Sequence, residues 1–233
     1  MYKSILKDNR RLVNVNINDL SEKRKYMQTG YTEADLLCAD CDNSILGTLE
    51  RYASNHIYSE PSANSGVTRK EYPGNQEIIP YVRYEHLDYA KTKLLFLSIL
   101  WRCHISKNKV FSDVDLGPHA ERIRKMILNN DPRNDDEYEV ILIYIDTDGS
   151  RPSKSVIDPR RIKMDGNTFY IFHINEIMYH FNVSKHNKTD LFTKGAIRKD
   201  NIMDIAILKG KWARDHFDMY MGRKLLMKIN IQY

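Results

Sequence analysis

The spacing of apolar and polar positions in residues 1–58 predicts a hairpin followed by a helix. Apolar and polar side chains alternate from Leu12 to Ile17 and a turn follows at Asn18-Asp19, which indicates a strand and its end. The next segment is typical of a returning strand with a turn at Gly30. A helix should then end near Tyr58, because apolar side chains recur at the three- and four-residue spacing of one helical face. These side chains are Ile45, Leu46, Leu49, Tyr52 and Ala53.

Residues 59–80 differ in composition from the segments on either side. They hold three of the seven prolines and two glycines, and such clusters are typical of loops. This stretch is therefore predicted to be a linker or loop. It divides the chain into an N-terminal unit, residues 1–58, and an α+β domain, residues 81–233.

Two core helices are predicted at the start of the second unit. Apolar residues lie on nearly every face of the segment from Tyr84 to Ser106, which indicates a buried helix. A second helix is predicted around Pro118, a residue type favoured in a first helical turn, and it should stop before Pro132.

The later part of the chain has the pattern of strands. Residues 137–146 form an apolar run typical of a buried strand, and a hairpin is predicted about Asp165-Gly166. A helix is predicted after Gly210, and residues 224–233 are strand-like. The predicted fold class is α+β, with an N-terminal hairpin and helix, two core helices and an antiparallel sheet.

The composition, with 42% hydrophobic and 29% charged residues, is that of a globular chain able to bury a core. The longest apolar run, Lys93–Leu100, is far shorter than the roughly 20 residues that cross a membrane, so we expect no membrane association. The N-terminus lacks the apolar segment of a secretory signal. Three cysteines do not suggest a disulfide framework, and we expect a cytoplasmic protein.

Positive charge is concentrated near the C-terminus. The whole chain carries a net charge of +5, whereas residues 185–228 hold eleven Lys and Arg against five Asp. This basic segment is compatible with binding to a polyanion such as DNA or RNA. The simpler alternative is that it forms a solvent-exposed face of mixed charge with no such partner.

Cations and an aromatic ring occur together within this basic segment. Such a combination can contact both the phosphates and the bases of a nucleic acid. The candidate contacts are Lys209, Lys211, Trp212 and Arg214. In the alternative, Trp212 packs into a core on one helical face together with Phe217 and Tyr220.

Cys38 and Cys41 are separated by two residues just before the N-terminal helix. A Cys-x2-Cys turn allows two thiolates to bind one tetrahedral zinc ion, which takes four ligands in a structural site, so the pair predicts half of a zinc site. Two alternatives stay open. The cysteines could be small, partly buried residues at a helix start, or a redox pair, although Asp40 between them would disfavour a thiolate.

Further zinc ligands could come from Cys103 and His104. Adjacent residues on a helix point about 100° apart, so joint ligation by these two would need local distortion. His56 lies fifteen residues beyond Cys41, which is about 22 Å along a helix and too far to share a metal ion.

The stretch LLCADCDN, Leu36–Asn43, running directly into a helix, resembles the second knuckle of HNH-type treble-clef nucleases. Three stretches are similar to a group of bacterial HNH-endonuclease-like proteins: MYKSILKDNRR, QTGYTEADLLCADCDNSILGTLERYA and LLFLSILWRCHISKNKVFSDVDLGPHAERIRKMILNNDP. The resemblance spans residues 1–132 and implies a partial treble clef in which Cys38 and Cys41 bind zinc. It also matches Asp42 and Asn43, though only loosely, to the position where such nucleases often hold a metal-binding His or Asn.

The chain departs from this family in its first half. The family carries a first Cys-x2-Cys and a Ser-His segment before the residues that match Met1-Tyr2, and that histidine activates the attacking water. Residues 1–37 contain no His and no Cys. The resemblance therefore implies a truncated or degenerate member, associated with nucleic acid and with weak or no nuclease activity in this form. Nuclease activity is expected only if the gene product is longer at its N-terminus.

Two other classes of function remain open. A metal-dependent enzyme could use Asp113, Asp115 and His119, although carboxylates before a helix also simply favour its positive end. Asp146 and Asp148 could bind a divalent ion at the end of a strand, or form an ordinary turn. A non-catalytic interaction module would instead present a tyrosine-rich surface to a protein partner or to a second copy of the chain.

Overall fold

The computed structural model describes residues 12–15, 25–27, 31, 33–59, 61–62, 64–75, 78–146, 155–164, 166–184 and 195–221. Within these residues, four α-helices and nine strands form an α+β fold. The predicted fold class is therefore confirmed.

The helices and strands have the following bounds. The helices are α1 (Gly47–His56), α2 (Tyr89–Ile105), α3 (His119–Leu128) and α4 (Gly210–Met221). A π-helical turn, Cys41–Leu46, leads directly into α1, and a 3-10 turn, Lys109–Phe111, lies between α2 and α3. The strands are β1 (Leu12–Val15), β2 (Lys25–Met27), β3 (Thr68–Tyr72), β4 (Tyr81–Glu85), β5 (Val140–Asp146), β6 (Ser155–Met164), β7 (Asn167–Ile174), β8 (Ile177–Asn182) and β9 (Met203–Lys209).

The nine strands form one mixed sheet in the order β2-β1-β6-β7-β8-β5-β9-β4-β3. The prediction of an antiparallel sheet was wrong in two places, because β1 runs parallel to β6 and β5 runs parallel to β9. Parallel neighbours are joined by long crossovers, so their pairing leaves no signal in the local sequence. The local hairpin of β6 and β7 was predicted correctly, with Met164 facing Asn167 across the turn.

The sheet has a hydrophobic core on each face. Helices α1, α2 and α3 pack on one face, called the first face, and α4 packs on the other, called the second face. Strand β7 is buried on both sides, since Tyr170 and Phe172 belong to the first-face core and Phe169 and Ile171 to the second. The two cores place α1 and α4 on opposite sides of the sheet.

Helix α2 is buried on most of its surface, as its sequence predicted. The predicted helix near Pro118 is confirmed as α3, and the helix predicted after Gly210 is confirmed as α4. The strand-like residues 224–233 lie outside the described residues. In the part of the chain that the structure describes, no helix is both long enough and apolar enough to cross a membrane.

The stretch 59–80, predicted as a linker or loop, contains strand β3. This strand pairs antiparallel with β4 at the edge of the sheet. Its sequence, TRKEY, has no apolar alternation because most of its side chains are exposed. Apolar residues from both sides of the stretch share the first-face core, including Leu49 of α1 and Leu94 of α2.

Candidate functional site

Several strand ends meet at one end of the sheet, which we call the upper end. Strands β5 and β9 run parallel, and their last residues, Asp146 and Lys209, face each other. Strand β4 runs antiparallel to β9 and therefore begins at the same end with Tyr81. Strand β3 finishes there with Tyr72, which faces Tyr81. The upper end is thus defined by Asp146, Lys209, Tyr81 and Tyr72.

Helix α4 begins at the upper end without an intervening loop. Gly210 has a φ of +52°, a backbone conformation that suits glycine, and it turns the chain from β9 into the helix. Ala213 is buried against the second face and sets the orientation of the first turn. Since successive helical residues are about 100° apart, its neighbours Trp212 and Arg214 project outward on either side.

The sequence candidates for nucleic-acid contact lie together at this point, and we call them the basic patch: Lys209, Lys211, Trp212 and Arg214. All four are exposed, and the Trp212 side chain has 55% of its surface open to solvent. The alternative that placed Trp212 in a core is therefore wrong, because the buried position on this turn belongs to Ala213. The side chains of Phe217 and Tyr220 lie outside the described residues.

One member of the basic patch has a nearby carboxylate. Lys209 Nζ lies 3.5 Å from Asp146 Oδ2, so this ion pair joins the ends of two parallel strands. The metal-binding alternative for Asp146 and Asp148 has no geometry to support it, since Asp146 faces a lysine and Asp148 lies outside the described residues.

A stacked pair of tyrosines, called the tyrosine stack, lies on the second face at the upper end. The rings of Tyr72 and Tyr81 are nearly parallel, with centroids 4.6 Å apart and an angle of 8° between their planes. The Arg83 guanidinium lies 5.6 Å and 5.5 Å from the two centroids, within reach of a cation–π interaction. Sequence reasoning missed this feature because Tyr72 fell in the predicted linker. The two tyrosines that flank the prolines of EYPGNQEIIPY were the available signal.

Arg83 is held in place by an acidic partner on β9. Its Nε and one terminal nitrogen donate to the two carboxylate oxygens of Asp204, at 2.7 Å and 2.8 Å. Asp204 also accepts a hydrogen bond from Arg198 at 3.3 Å. The Asp204 hydrogen bond raises the pKa of Arg83, so the guanidinium stays charged beneath the tyrosine stack.

Cys38 and Cys41 lie together at the start of the helical segment that leads into α1. The chain is helical from Ala39, and the Asp42 N–H donates to the Cys38 carbonyl at 3.0 Å. The Cys41 N–H donates to Cys38 Sγ at 3.4 Å. Cys38 is exposed and Cys41 is half-buried. The structure thus brings the two thiols side by side.

The two thiols are unequal. The pKa of Cys38 is lowered, mainly by its side-chain interaction with Cys41 and then by the hydrogen bond from the Cys41 backbone N–H. The same side-chain interaction raises the pKa of Cys41. The charge of Asp40 raises the pKa of both thiols, as the sequence predicted, but at Cys38 it is the smallest of these effects.

The proposed zinc site has two sulfur donors in this structure. Two thiolates are donors that zinc prefers, but a structural site needs four ligands. Asn43 does not turn toward them, since its side-chain nitrogen donates to the Ala39 carbonyl at 2.8 Å, and Asp42 is exposed. Over the described ranges of the chain, no group of three or more His, Cys, Asp or Glu side chains could hold a metal ion. Zinc binding therefore stays a prediction.

Cys103 and His104, considered above as further ligands, have other environments. Cys103 is buried, and burial raises the pKa of its thiol to about 12. His104 Nδ1 accepts a hydrogen bond from the Leu116 N–H at 3.2 Å. These residues do not complete a site with the cysteine pair among the residues that are described.

Of the group Asp113, Asp115 and His119, the last two have local roles at the start of α3. Asp115 Oδ1 accepts from the Gly117 N–H at 3.0 Å, which closes the turn before the helix. His119 Nδ1 lies 3.0 Å from the Tyr138 hydroxyl oxygen. Where side chains are described, these three do not form a metal-binding group.

Three histidines on the second face were not singled out from the sequence, of which His173 and His180 are buried and His216 is half-buried. His180 Nε2 of β8 lies 3.4 Å from His216 Nε2 of α4, and His173 lies on the adjacent strand β7. Burial lowers the pKa of His173 and of His216 to about 4, and it lowers that of His180 well below the ordinary value. All three are therefore neutral at pH 7.

No family model matches this chain, and no curated protein or solved structure matches it. The likeness to HNH-endonuclease-like proteins therefore stays a prediction that depends on the quoted stretches of sequence.

Proposed function

We propose that this chain binds nucleic acid through the basic patch, as a protein of HNH-like descent with weak or no nuclease activity in this form. The observation that carries the proposal is the exposed indole of Trp212, with the exposed side chains of Lys211 and Arg214 on the same helical turn. An exposed aromatic ring can stack on a base, which contributes about 1–3 kcal/mol per base. The two neighbouring cations add positive charge that favours the phosphates of the same strand.

Single-stranded segments are the expected ligand. A ring on the surface of a helix reaches bases most readily where they are unstacked, as in loops, ends and single strands. Contacts of this kind tolerate any base, because every base has a π-face. Sequence-independent binding with a strong salt dependence follows from this combination of a ring and cations.

The tyrosine stack extends the same surface. Tyr72 and Tyr81 are half-buried, lie at the upper end, and occupy the face of the sheet on which α4 packs. Arg83 beneath them adds positive charge, although Asp204 balances it. Aromatic rings on an open sheet face are a recurring platform for bases in nucleic-acid-binding folds.

Weak or absent nuclease activity is part of the proposal. Residues 1–37 contain no His and no Cys, so none of them can take the role of the family's water-activating histidine. The described residues also offer no group of acidic and histidine side chains for a catalytic metal ion. Hydrolysis of phosphodiesters by this family requires both.

Fluorescence anisotropy of labelled single-stranded and duplex oligonucleotides tests the proposal. Affinity for the single strand should fall steeply between about 50 and about 200 mM salt. The double variant Lys211→Ala/Arg214→Ala should lower the salt slope by about 1 to 2, because each phosphate contact contributes about 0.7 on a single strand. The matched control is Lys107→Ala/Lys109→Ala, which removes the same charge from exposed positions after α2.

Equal losses in the two double variants would mean that the basic patch has no special role. Absence of binding to either oligonucleotide at low salt would contradict the proposal outright.

A protein partner is the second candidate, and one observation favours it. Trp212 and Met219 are seven residues apart, so they lie on the same face of α4, and 55% and 70% of their surfaces are exposed. Large exposed apolar side chains on one helical face are typical of docking surfaces. Self-association detected by analytical ultracentrifugation, lost in Met219→Ala and insensitive to salt, would support this candidate.

A further inference from the structure

We propose that Cys38 and Cys41 form a thiol–disulfide exchange site, with Cys38 as the attacking sulfur and Cys41 as the resolving sulfur. The oxidant is a low-molecular-weight disulfide of the glutathione class. This proposal does not depend on nucleic-acid binding. It rests on the relative position, exposure and hydrogen bonding of the two thiols.

The backbone holds the pair at a separation that a disulfide can span. The Asp42 N–H donates to the Cys38 carbonyl at 3.0 Å, so the chain makes a helical turn between the two cysteines. Residues three apart in such a turn have Cα atoms about 5 Å apart. Disulfides are formed across Cα separations of about 4.4–6.8 Å, so the bond can close without a large backbone movement.

The two sulfurs have different environments, and these assign their roles. Cys38 is exposed, and its Sγ accepts a hydrogen bond from the Cys41 N–H at 3.4 Å. This bond and the position of Cys38 just before the helical segment both suit an attacking sulfur. Cys41 is half-buried and therefore less accessible to an external disulfide, so it reacts second.

The carboxylate between the thiols does not prevent this chemistry. Asp40 Oδ1 accepts a hydrogen bond from the Ser44 hydroxyl at 2.9 Å, which holds the carboxylate along the helix. This hydrogen bond orients Asp40 toward Ser44, one helical turn further along the chain.

The reaction balances without any further reagent. The Cys38 thiolate attacks one sulfur of the external disulfide, and a small thiolate leaves and takes up a proton from water. Cys41 then loses its proton, attacks the Cys38 sulfur of the mixed disulfide and releases the second small thiol. One dithiol and one external disulfide become one protein disulfide and two small thiols. Two electrons pass from the protein to the external disulfide.

Cys103 serves as an internal control for thiol reactivity. It is buried, and burial raises the pKa of its thiol to about 12, so it should stay reduced throughout. The chain has no other cysteine. Any adduct or disulfide within the monomer can therefore be located without ambiguity.

Intact-mass spectrometry of the reduced, chelator-treated full chain with glutathione disulfide tests the proposal. The wild-type protein should lose two hydrogen atoms and carry no lasting adduct. Cys41→Ser should keep one glutathione, located on Cys38 by peptide mapping. Cys38→Ser should react at least about tenfold more slowly. Cys103→Ser should behave like the wild type.

Three results would overturn the proposal. The first is a wild-type protein that stays reduced in excess glutathione disulfide. The second is a lasting adduct on the wild type. The third is equal reactivity of Cys38→Ser and Cys41→Ser. Limiting iodoacetamide on the unmodified wild-type chain gives a test free of folding effects in the variants, since Cys38 should be alkylated before Cys41 and Cys103.

Discussion

Asp146 and Lys209, 63 positions apart in the chain, end two neighbouring parallel strands with their side chains 3.5 Å apart. This pair places a carboxylate beside the basic patch. Asp146→Asn removes that negative charge and leaves Lys209 free to contact a phosphate. We expect about two- to fivefold tighter binding of a single-stranded oligonucleotide at low salt, with the gain reduced at high salt.

The stability of Asp146→Asn should change little. Surface ion pairs contribute about 0–1 kcal/mol, and the Lys209 side chain is mostly exposed. Urea denaturation checks this, so that a change in binding can be separated from a change in folding. Weaker binding by Asp146→Asn would contradict the role given to the upper end.

Asp204, the acidic residue of β9, should be sensitive to substitution. Its side chain is only 14% exposed and accepts two hydrogen bonds from Arg83. Asp204→Asn leaves a half-buried guanidinium without its charged partner, which should lower the free energy of unfolding by about 1–3 kcal/mol. The control Asp200→Asn, at a carboxylate that is 52% exposed, should cost less than about 1 kcal/mol. Urea unfolding monitored by circular dichroism measures both.

Stability should fall as the pH drops below about 6.5. Burial lowers the pKa of His173 and His216 to about 4 from an ordinary 6.5. The unfolded chain therefore binds more protons between these values, and the stability present above pH 6.5 is lost as the pH falls toward 4. The loss from His173 alone is of the order of 3 kcal/mol. Denaturant midpoints at a series of pH values test this.

The variant His216→Leu should flatten that pH profile in part, since it removes the half-buried base next to His180. The carboxylates whose pKa is lowered, such as Glu85 and Asp88, affect stability only at lower pH. A midpoint that stays constant between pH 7 and pH 5 would mean that these histidines are not buried as the structure has them.

Lys93 of α2 is a buried lysine whose pKa is lowered to about 8 by desolvation. Its Nζ donates to the Tyr89 hydroxyl at 3.0 Å and to the Asn134 carbonyl at 2.5 Å. Lys93→Ala should lower the free energy of unfolding by about 2–4 kcal/mol, because it removes both bonds and leaves a cavity. Lys93→Met should cost less than half as much, since it fills the space and avoids burying a charge. Equal losses would rule out the cavity as a main cause.

Local patterns of the sequence were sufficient for many elements. Helix α2 follows from apolar residues around its whole surface, and the β6–β7 hairpin follows from the Asp165-Gly166 turn. The edge strand β3 was missed, since an exposed strand such as TRKEY carries no apolar alternation. The parallel pairing of β5 with β9 depends on contacts between residues far apart in the chain, which no local pattern contains.

The candidate sites show the same difference between features that a local sequence pattern predicts and features that depend on contacts between distant residues. The proximity of Cys38 and Cys41 follows from their spacing and a helical turn, and was expected from sequence alone. The outward position of Trp212 was not, because it depends on Ala213 being the residue that α4 buries against the sheet. The tyrosine stack requires the pairing of β3 with β4, which was hidden in the predicted linker.

The intrinsic fluorescence of Trp212 tests the central claim most directly. The chain has two tryptophans, so Trp101→Phe leaves Trp212 as the single tryptophan, whose emission is excited selectively over that of the tyrosines. Titration with an unlabelled single-stranded oligonucleotide at low salt should quench this emission as bases stack on the indole, and added salt should restore it. Emission that stays unchanged while anisotropy shows the oligonucleotide to be bound would contradict the claim that Trp212 contacts nucleic acid.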